Sequence, residues 1–317
     1  MKIILSEPIH QNAMAKLAAF GEVVLCDNPK ELDLHDADAV IVRAAKVTRA
    51  QIENAPKLKV IGKHGVGVNA INVACAREKG IPVVFTPTSN SNAVAELAVS
   101  MMLACARKLK ANERLIARGA TRLAPPQMIG LELTDKTLGL VGYGHIGSRV
   151  AAIVKAAFNM KVYVYDPYLR DEVIERDGLH RADTVEALMA VADFVSVHVP
   201  LTEETRGLVG KKALSCAKPT TIVVNTARGG VVNEDALYEA LKNGTIFAAA
   251  SDVFVEEPAA PDNKLFSLDN FIGSLHVGAT TEEALLRVGD DVVEDVLAVL
   301  QGKPPRHPYT GPAPITD

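Results

Sequence analysis

Residues 137–166 read TLGLVGYGHIGSRVAAIVKAAFNMKVYVYD, and this stretch decides the fold. An apolar run at 138–141 meets the glycine-rich turn GYGHIG, and a helix-like segment follows at once. A second β-rich run at 161–165 ends in Asp166. A strand, a glycine turn, a helix, a second strand and an acid in this order are typical of a dinucleotide-binding βαβ unit.

The glycines of this turn each meet a separate physical need. Gly142 permits the tight turn, Gly144 lets the backbone approach a pyrophosphate, and Gly147 lets the helix pack closely against its strand. The first turn of the helix also offers unpaired N–H groups and a partial positive charge to phosphate oxygens. We therefore predict a pyrophosphate site made of Gly142, Gly144, His145, Ile146 and Gly147.

Asp166 is the candidate for binding the ribose of the nucleotide. It stands 19 residues after Gly147, close to the spacing of about 20 expected for the acid that accepts from a ribose hydroxyl. A carboxylate at this place repels the 2′-phosphate of NADP, so the sequence favours NAD, and the nearby Arg170 moderates that preference. Asp166 and Pro167 are the predicted residues at the ribose.

The composition is that of an ordinary globular protein. The chain has 317 residues, of which 48% are hydrophobic and 23% are charged. At about 150 residues per domain, this length predicts two domains. The formal net charge is −4 and the sequence has no basic stripe, so nucleic acid and anionic membranes are not expected partners.

Cysteine spacing and hydropathy indicate the compartment. The cysteines lie far apart and form no CxxC pair, which predicts reduced thiols and neither disulfides nor a metal site; they are Cys26, Cys75, Cys105 and Cys216. The N-terminal apolar run is too short for a signal peptide. No run approaches the roughly 18 apolar residues of a membrane span. We therefore expect a cytoplasmic protein.

Short β-like runs alternate with helix-like segments on both sides of the glycine turn, which predicts parallel sheets covered by helices. Residues 93–118 are predicted to form one long helix, hydrophobic all round, that bridges two domains or lies at a subunit interface. An exposed arm is predicted at 119–133, and the tail from Pro304 is predicted to be extended or frayed.

Groups suited to catalysis follow the predicted strands of the second half, where an open α/β sheet binds its ligand. The segments are HVP at 198–200, TARGG at 226–230, DVFVEEP at 252–258 and HVGA at 276–279. Together they offer a base, a cation and a carboxylate, as hydride transfer at a hydroxyl-bearing carbon requires. Each group also has a structural alternative: a buried histidine, an arginine in an ion pair, or a solvated acidic turn.

These motifs resemble the D-isomer-specific 2-hydroxy acid dehydrogenase family. The resemblance covers nearly the whole chain and includes GYGHIG with Asp166-Pro167, HVPLTEETRG at 198–207 and NTARG at 225–229. It continues in DVF…EP at 252–258 and in HVGA at 276–279. Within the family, the pattern is most similar to the D-3-phosphoglycerate dehydrogenases, in a short form without the regulatory domain.

The resemblance implies a role for each of these residues. His276 would be the general acid/base, Glu257 its partner and Arg228 the cation that binds the substrate. Glu257 would favour the protonated form of the imidazole. The implied nucleotide contacts beyond the glycine turn and the ribose acid are His198, Val199, Pro200, Thr205, Thr226, Ala227, Arg228, Asp252, His276, Gly278 and Ala279.

The first half resembles the substrate-binding part of the family. Its glycine loop, KHGVG at 63–67, would hold the substrate carboxylate on backbone amides, as consecutive N–H groups can. Arg43 would meet a second anionic group such as a phosphate or sulfonate, although it could equally cap a strand. The implied substrate residues are Arg43, Lys63, His64, Gly65, Val66, Gly67, Arg228 and His276.

Two stretches depart from the family pattern. Asn69, Ala70 and Asn72 stand where the family has Asp, Asn and Asp, and Leu275 replaces the usual proline before the histidine. The first departure affects the support of the glycine loop, and the second affects the approach of the histidine.

The implied architecture is α/β with two doubly wound parallel sheets. A Rossmann NAD-binding domain, residues 98–285, would be inserted into a flavodoxin-like substrate domain made of 1–97 and 286–317. The implied activity interconverts a D-2-hydroxy acid and its 2-oxo acid, with D-3-phosphoglycerate or a similar anionic-tailed acid favoured. A glyoxylate/hydroxypyruvate reductase and an NAD-sensing, corepressor-like binding protein are the alternatives. A homodimer through the nucleotide-binding domain is expected.

Overall fold

The computed structural model describes residues 1–120 and 128–311. The middle of the predicted arm, residues 121–127, therefore lies outside the described residues, as does the tail beyond residue 311. The chain divides into two compact units. The split unit comprises Met1–Asn90 and Ala279–Asp317, and the central unit comprises Ser91–Gly278.

The split unit is built on a parallel sheet, which has five strands in the part of the chain described. Its strands are β1 (Lys2–Leu5), β2 (Glu22–Leu25), β3 (Ala39–Val42), β4 (Val60–Lys63) and β5 (Val83–Val84). Their order is β2-β1-β3-β4-β5, which is that of flavodoxin-like sheets. The helices that connect them are α1 (Gln11–Phe20), α2 (Arg49–Glu53) and α3 (Val73–Glu78).

The central unit has a wider parallel sheet. Seven strands are found among its described residues: β6 (Thr137–Val141), β7 (Lys161–Tyr165), β8 (His180–Arg181), β9 (Phe194–Val197), β10 (Ile222–Asn225), β11 (Ala248–Ser251) and β12 (Phe271–Gly273). The order β12-β11-β10-β9-β6-β7-β8 is that of a Rossmann sheet with one strand added. The predicted fold class, with two doubly wound parallel sheets, is therefore confirmed.

Helices cover both faces of this wider sheet, so β9, β10 and β11 are buried along their whole length. The helices are α4 (Ser91–Ala106), α5 (Leu109–Ala117), α6 (His145–Phe158), α7 (Asp171–Asp177), α8 (Val185–Val191), α9 (Lys211–Ser215) and α10 (Glu234–Lys242). Because every strand is parallel, the loops that follow them emerge at one edge of the sheet. No helix of the described residues is long and apolar enough to cross a membrane.

The predicted single helix over 93–118 is wrong, because α4 and α5 are separate helices. The chain turns at Lys108, whose φ of 51° lies in the left-handed region. The Lys108 ammonium lies over the Phe247 ring, 4.7 Å from its centroid, and the Lys110 ammonium donates to the Phe271 carbonyl at 2.8 Å. These contacts with distant residues favour the turn, whereas the local sequence favours a continuous helix.

The split unit returns through α11 (Glu282–Leu300), which packs on β4. The Thr281 side chain caps this helix by accepting from the Ala284 N–H at 3.1 Å. Beyond the helix, Pro308 forms an antiparallel bridge with Val84. The described part of the tail is therefore extended, as predicted, but it is tied to the sheet and not frayed.

Candidate active site

The glycine turn joins β6 to α6 and has the shape that a pyrophosphate needs. Gly142 has a φ of +94°, and a Cβ there would lie 2.7 Å from a Val199 methyl carbon. A Cβ at Gly147 would lie 2.5 Å from the Gly142 carbonyl oxygen. At Gly144, by contrast, a Cβ would meet nothing within 4 Å. The turn is thus closed on the protein side and open at Gly144.

The N-terminus of α6 adds electrostatic complementarity to this shape. The helix begins at His145 with Gly144 as its N-cap, and no side chain caps it. The N–H groups of His145, Ile146 and Gly147 belong to its first turn, where a helix attracts anions. These residues fit the pyrophosphate of a dinucleotide such as NAD.

Asp166 follows β7 and faces the glycine turn. Its Oδ2 accepts from the Tyr143 N–H at 2.9 Å, and its Oδ1 accepts from the Tyr168 N–H at 3.0 Å. Each carboxylate oxygen has a second lone pair, so the group retains capacity to accept from a ribose hydroxyl. Pro167 stands between Asp166 and Tyr168 in the chain.

The loop after β9 forms the facing wall, because β9 is the neighbour of β6 in the sheet. Burial lowers the pKa of His198 to about 3, so its ring is neutral at physiological pH. Its Nε2 contacts the Ser196 hydroxyl at 2.8 Å. Thr205 closes the loop by donating to the Pro200 carbonyl at 2.6 Å and accepting from the Thr202 N–H at 2.8 Å.

His276 and Glu257 are brought together in the central unit. The Nδ1 of His276 lies 2.8 Å from Oε2 of Glu257. Burial would raise the pKa of Glu257, but the hydrogen bond to His276, the His276 charge, the Phe254 N–H and Arg228 together lower it below its usual value. Glu257 is therefore ionised at neutral pH and hydrogen-bonds Nδ1 of His276. The second ring nitrogen, Nε2, remains available to bind or release a proton.

Arg228 lies in the loop after β10, and two local features shape that loop. The Asn225 side chain accepts from the Ala227 N–H and donates to the Arg228 carbonyl, both at 3.0 Å. A Cβ at Gly229 would lie 1.9 Å from the Phe254 carbonyl oxygen, so only glycine lets this loop reach the Glu257 loop. Burial lowers the pKa of Arg228 and the Glu257 carboxylate opposes that shift, so the guanidinium stays protonated.

Asp252, which follows β11, holds the loop that carries His276. Its side chain accepts from the Val277 N–H at 2.9 Å and the Gly278 N–H at 2.8 Å, and also from the Ser274 hydroxyl. Its carbonyl accepts from the His276 N–H at 2.8 Å. His276 has a φ of +52°, a conformation that residues other than glycine rarely adopt. This contact network explains how the strained conformation is retained.

The glycine loop of the split unit follows β4. Gly65 has a φ of +134°, and its carbonyl accepts from the Thr86 N–H at 3.0 Å. Burial, with a smaller effect of the Arg43 charge, lowers the pKa of His64 to about 4, so its ring is neutral. Lys63 is 8% exposed, and its ammonium donates to the Arg43 carbonyl.

Arg43 begins the loop after β3. Its guanidinium donates to the Thr280 hydroxyl at 3.1 Å. Its backbone N–H donates to the Glu7 carboxylate, which lies after β1. Glu7 was not predicted from the sequence, where the available signal was an acid two residues after an apolar run.

One departure from the family pattern, Asn72, has a local structural role. Asn72 is the N-cap of α3, where its side chain accepts from the Cys75 N–H at 2.9 Å. Asparagine and aspartate cap helices about equally well, so this change preserves the local structure. Leu275, at the second departure, is 74% exposed.

Most predicted contacts of the nucleotide therefore lie in one unit. Gly278 ends the central unit, and Ala279 belongs to the split unit with the predicted glycine loop and Arg43. The Thr226 hydroxyl and the Nδ1 of His198 are buried without a hydrogen-bond partner among the described residues. Within that same part of the chain, no cluster of side chains could hold a metal ion.

Comparisons with known proteins agree with this geometry. Residues 99–278 match the family described as D-isomer specific 2-hydroxyacid dehydrogenase, NAD binding domain. A D-3-phosphoglycerate dehydrogenase of Methanocaldococcus jannaschii is 45% identical over 96% of this chain and 58% of its own length. A hydroxypyruvate reductase of Thermotoga maritima is 38% identical over 94% of this chain and 98% of its own. The chain thus spans 58–60% of two D-3-phosphoglycerate dehydrogenases that it matches.

Solved structures share the whole fold. The TT0316 protein of Thermus thermophilus superposes with a TM-score of 0.88 at 32% identity, covering 98% of this chain and 100% of its own. A D-lactate dehydrogenase of Aquifex aeolicus, complexed with NAD and lactic acid, superposes with a TM-score of 0.85 at 28% identity, with coverages of 98% and 100%. The glycine turn, the His276–Glu257 pair and these matches place this chain in the D-isomer-specific 2-hydroxyacid dehydrogenase family.

Proposed function

We propose that this protein is an NAD-dependent oxidoreductase that interconverts a D-2-hydroxy acid and its 2-oxo acid. The observation that carries the proposal is the 2.8 Å contact between His276 Nδ1 and Glu257 Oε2, at the edge of the sheet that also bears Arg228. A base fixed by a carboxylate, next to a cation, is what a 2-hydroxy acid requires.

His276 is the proposed general acid and base. Glu257 holds Nδ1 and stabilises the imidazolium, so Nε2 exchanges the proton with the substrate oxygen. In the oxidation, neutral His276 takes the hydroxyl proton, and in the reduction the imidazolium returns it. When bound, NAD accepts the hydride from the substrate carbon, and NADH supplies it in the reverse direction.

Arg228 and the glycine loop are the proposed substrate contacts. The guanidinium of Arg228 binds the carboxylate and polarises the carbonyl of the oxo acid. The backbone N–H groups of Gly65, Val66 and Gly67 are suited to binding a carboxylate. In this proposal, residues 98–285 bind NAD, and residues 1–97 with 286–317 bind the acid.

The proposed substrate class is a D-2-hydroxy acid with an anionic tail, as in D-3-phosphoglycerate. The support is Arg43, a half-buried cation at a strand end, and the similarity to D-3-phosphoglycerate dehydrogenases that are 38–45% identical. A reductase of glyoxylate and hydroxypyruvate is the second candidate, favoured by the full-length match to a hydroxypyruvate reductase. His64 is neutral and so adds no positive charge that could bind an anionic tail, which also favours the reductase.

The test is NADH oxidation against phosphohydroxypyruvate, sulfopyruvate, hydroxypyruvate, glyoxylate and pyruvate, with Arg43→Ala assayed beside the unchanged protein. An anionic-tailed acid is expected to dominate. Arg43→Ala is expected to lower kcat/KM for that acid by about 10- to 100-fold, because hydrogen bonds to charged groups contribute about 1.5–3 kcal/mol.

Arg49→Ala is the matched control, since Arg49 is an exposed arginine of the same unit that pairs with Glu53 and Glu78. It is expected to leave the substrate preference unchanged. Equal rates with small uncharged-tail acids, insensitive to Arg43→Ala, would replace the first candidate by the reductase. Tight NADH binding without turnover of any of these acids would indicate an NAD-sensing binding protein.

We also propose a cytoplasmic homodimer that associates through the nucleotide-binding domain. The support is a set of large apolar side chains exposed around α4 and α5, namely Leu103, Leu109, Ile116 and Ile129. Burying such side chains against a second copy would remove apolar surface from water.

A further inference from the structure

The Glu7 carboxylate binds three consecutive backbone N–H groups. Its Oε2 accepts from Arg43 at 2.9 Å, and its Oε1 accepts from Ala44 at 2.8 Å and from Ala45 at 2.9 Å. Ser6 also donates its hydroxyl to Glu7. These partners stand 36–38 residues from Glu7 in the chain. A side chain from the segment that follows β1 thus organises the loop that begins with Arg43.

Successive N–H groups aimed at one point form an anion-binding nest. In the Arg43–Ala45 loop, this nest is filled by the chain's own carboxylate. Its N–H groups are therefore not available to an anionic substrate, and the guanidinium of Arg43 is the part of this loop that can reach one. The loop therefore positions the Arg43 side chain, and its backbone does not bind an anionic substrate as the glycine loop is proposed to do.

Lys63 holds the same residue from its carbonyl side. Its ammonium donates to the Arg43 carbonyl, while the Arg43 N–H donates to Glu7. Both polar backbone groups of Arg43 are thus bonded by charged side chains, those of Glu7, two residues after β1, and of Lys63, the last residue of β4. Hydrogen bonds with an ionised partner are about twice as strong as neutral ones, so this backbone is firmly fixed.

We propose that Glu7 is a positioning residue that sets the preference for anionic-tailed substrates by fixing the Arg43 backbone. Glu7 touches neither the substrate nor the coenzyme in this proposal, and it acts only through Arg43. The inference rests on the proposed role of Arg43 at the substrate tail. The functional consequence of Glu7 is therefore a selectivity between acids and not the hydride transfer itself.

Glu7→Gln is the informative substitution, because an amide cannot satisfy all the donors around this carboxylate. Whichever way the amide is turned, its NH2 faces either the Arg43 N–H and the Ser6 hydroxyl or the N–H groups of Ala44 and Ala45. One side of the nest then meets a donor in place of an acceptor, and the loop shifts.

The experiment measures kcat and KM of Glu7→Gln with phosphohydroxypyruvate and with glyoxylate, beside Arg43→Ala. In Glu7→Gln, we expect the kcat/KM for phosphohydroxypyruvate divided by that for glyoxylate to fall by about tenfold. This is the scale of one charge-assisted hydrogen bond. The loss should lie mainly in the KM for phosphohydroxypyruvate. Amide hydrogen exchange of Arg43, Ala44 and Ala45 should also become faster.

Asp38→Asn is the matched control. Asp38 is a carboxylate of the same unit that accepts from the Lys2 N–H at 2.9 Å and pairs with Lys59, but it stands at the opposite end of β3. It should lower stability without changing the substrate ratio. Glu7→Asp, which keeps the charge but shortens the side chain, provides a milder variant and should also lower the ratio.

The outcomes separate this inference from the proposed function. If Arg43→Ala removes the preference for the anionic tail while both Glu7 variants retain it, Glu7 has no positioning role and the proposed substrate class stands. If Arg43→Ala itself retains the preference, Arg43 does not bind the tail, and the role of Glu7 is wrong with it. If the unchanged protein turns over glyoxylate as efficiently as phosphohydroxypyruvate, the proposed substrate class is wrong. A change of the ratio in Asp38→Asn equal to that in Glu7→Gln would also overturn the inference.

Discussion

The loops that carry His276 and Arg43 are built on the same device in different units. In the central unit, Asp252 accepts from the N–H groups of Val277 and Gly278. In the split unit, Glu7 accepts from the loop that begins at Arg43. In both cases a carboxylate at the end of one strand holds a loop that follows another strand.

The two loops differ in how completely they are held. Asp252 is 2% exposed, whereas Glu7 is only half-buried. The loop of Asp252 also contains a residue of φ +52°, His276, a conformation that costs about 1–3 kcal/mol. None of the residues of the Arg43 loop has a positive φ. The loop of the proposed acid/base is thus held by a more deeply buried carboxylate than the loop of the residue proposed at the substrate tail.

The largest expected effect is that of removing the proposed acid/base. His276→Ala should lower kcat by about 10²- to 10⁴-fold, the usual contribution of a positioned general acid or base. NADH binding should remain, because the glycine turn and Asp166 are untouched. Stopped-flow turnover and fluorescence titration with NADH check the two parts.

The matched control for this prediction is His180→Ala, since His180 is another exposed histidine of the central unit that stacks on Tyr163. It should retain turnover. Wild-type turnover in His276→Ala would remove the proposed mechanism and the contrast between the two loops.

The next effect in size comes from the carboxylate that holds the catalytic loop. Asp252→Asn places an amide before the Val277 and Gly278 N–H groups, so at least one buried donor loses its acceptor. We expect a loss of about 1.5–3 kcal/mol in the free energy of unfolding and a lower kcat. Urea unfolding and steady-state kinetics measure both quantities.

A lower kcat in Asp252→Asn would distinguish the two loops, because Glu7→Gln should mainly raise the KM for phosphohydroxypyruvate. If Asp252→Asn changed only the KM of the oxo acid, the two carboxylates would serve the same purpose and the contrast would fail.

The smallest effect is a pH dependence of stability that the two units share. Burial lowers the pKa of His198 in the central unit to about 3 and that of His64 in the split unit to about 4. In the unfolded chain both groups titrate near pH 6.5, so below about that pH the unfolded state binds more protons than the folded state. Stability therefore falls as the pH is lowered, by about 1 kcal/mol for each histidine between about pH 6.5 and about pH 5.5.

Denaturant unfolding at about pH 6.5 and about pH 5.5 measures this loss. His198→Gln should reduce the loss in the central unit, and His64→Gln should reduce it in the split unit. Carboxylates with a lowered pKa, such as Glu7 and Glu257, lose their contribution only below about pH 4.5, outside this window. The prediction would be contradicted if His198→Gln and His64→Gln lost as much unfolding free energy between the two pH values as the unchanged protein.

Much of the fold followed from patterns of neighbouring residues. The turn at Gly142 needs a positive φ that glycine supplies, and the flanking apolar runs form β6 and β7. The motifs after β9, β10 and β11 could be located because parallel strands expose their carboxyl ends at one edge. The roles of His276, Glu257 and Arg228 stay predictions until they are tested.

The sequence by itself thus determined the two parallel sheets, the glycine turn and the proximity of the loops that follow the strands, because these depend on short-range periodicity and backbone sterics. Only the tertiary structure decided that Glu7 binds the Arg43 loop, that Lys63 points at the Arg43 carbonyl, and that the chain turns at Lys108. The physical reason is that hydrogen bonds between residues 20 or more positions apart leave no local pattern in the sequence.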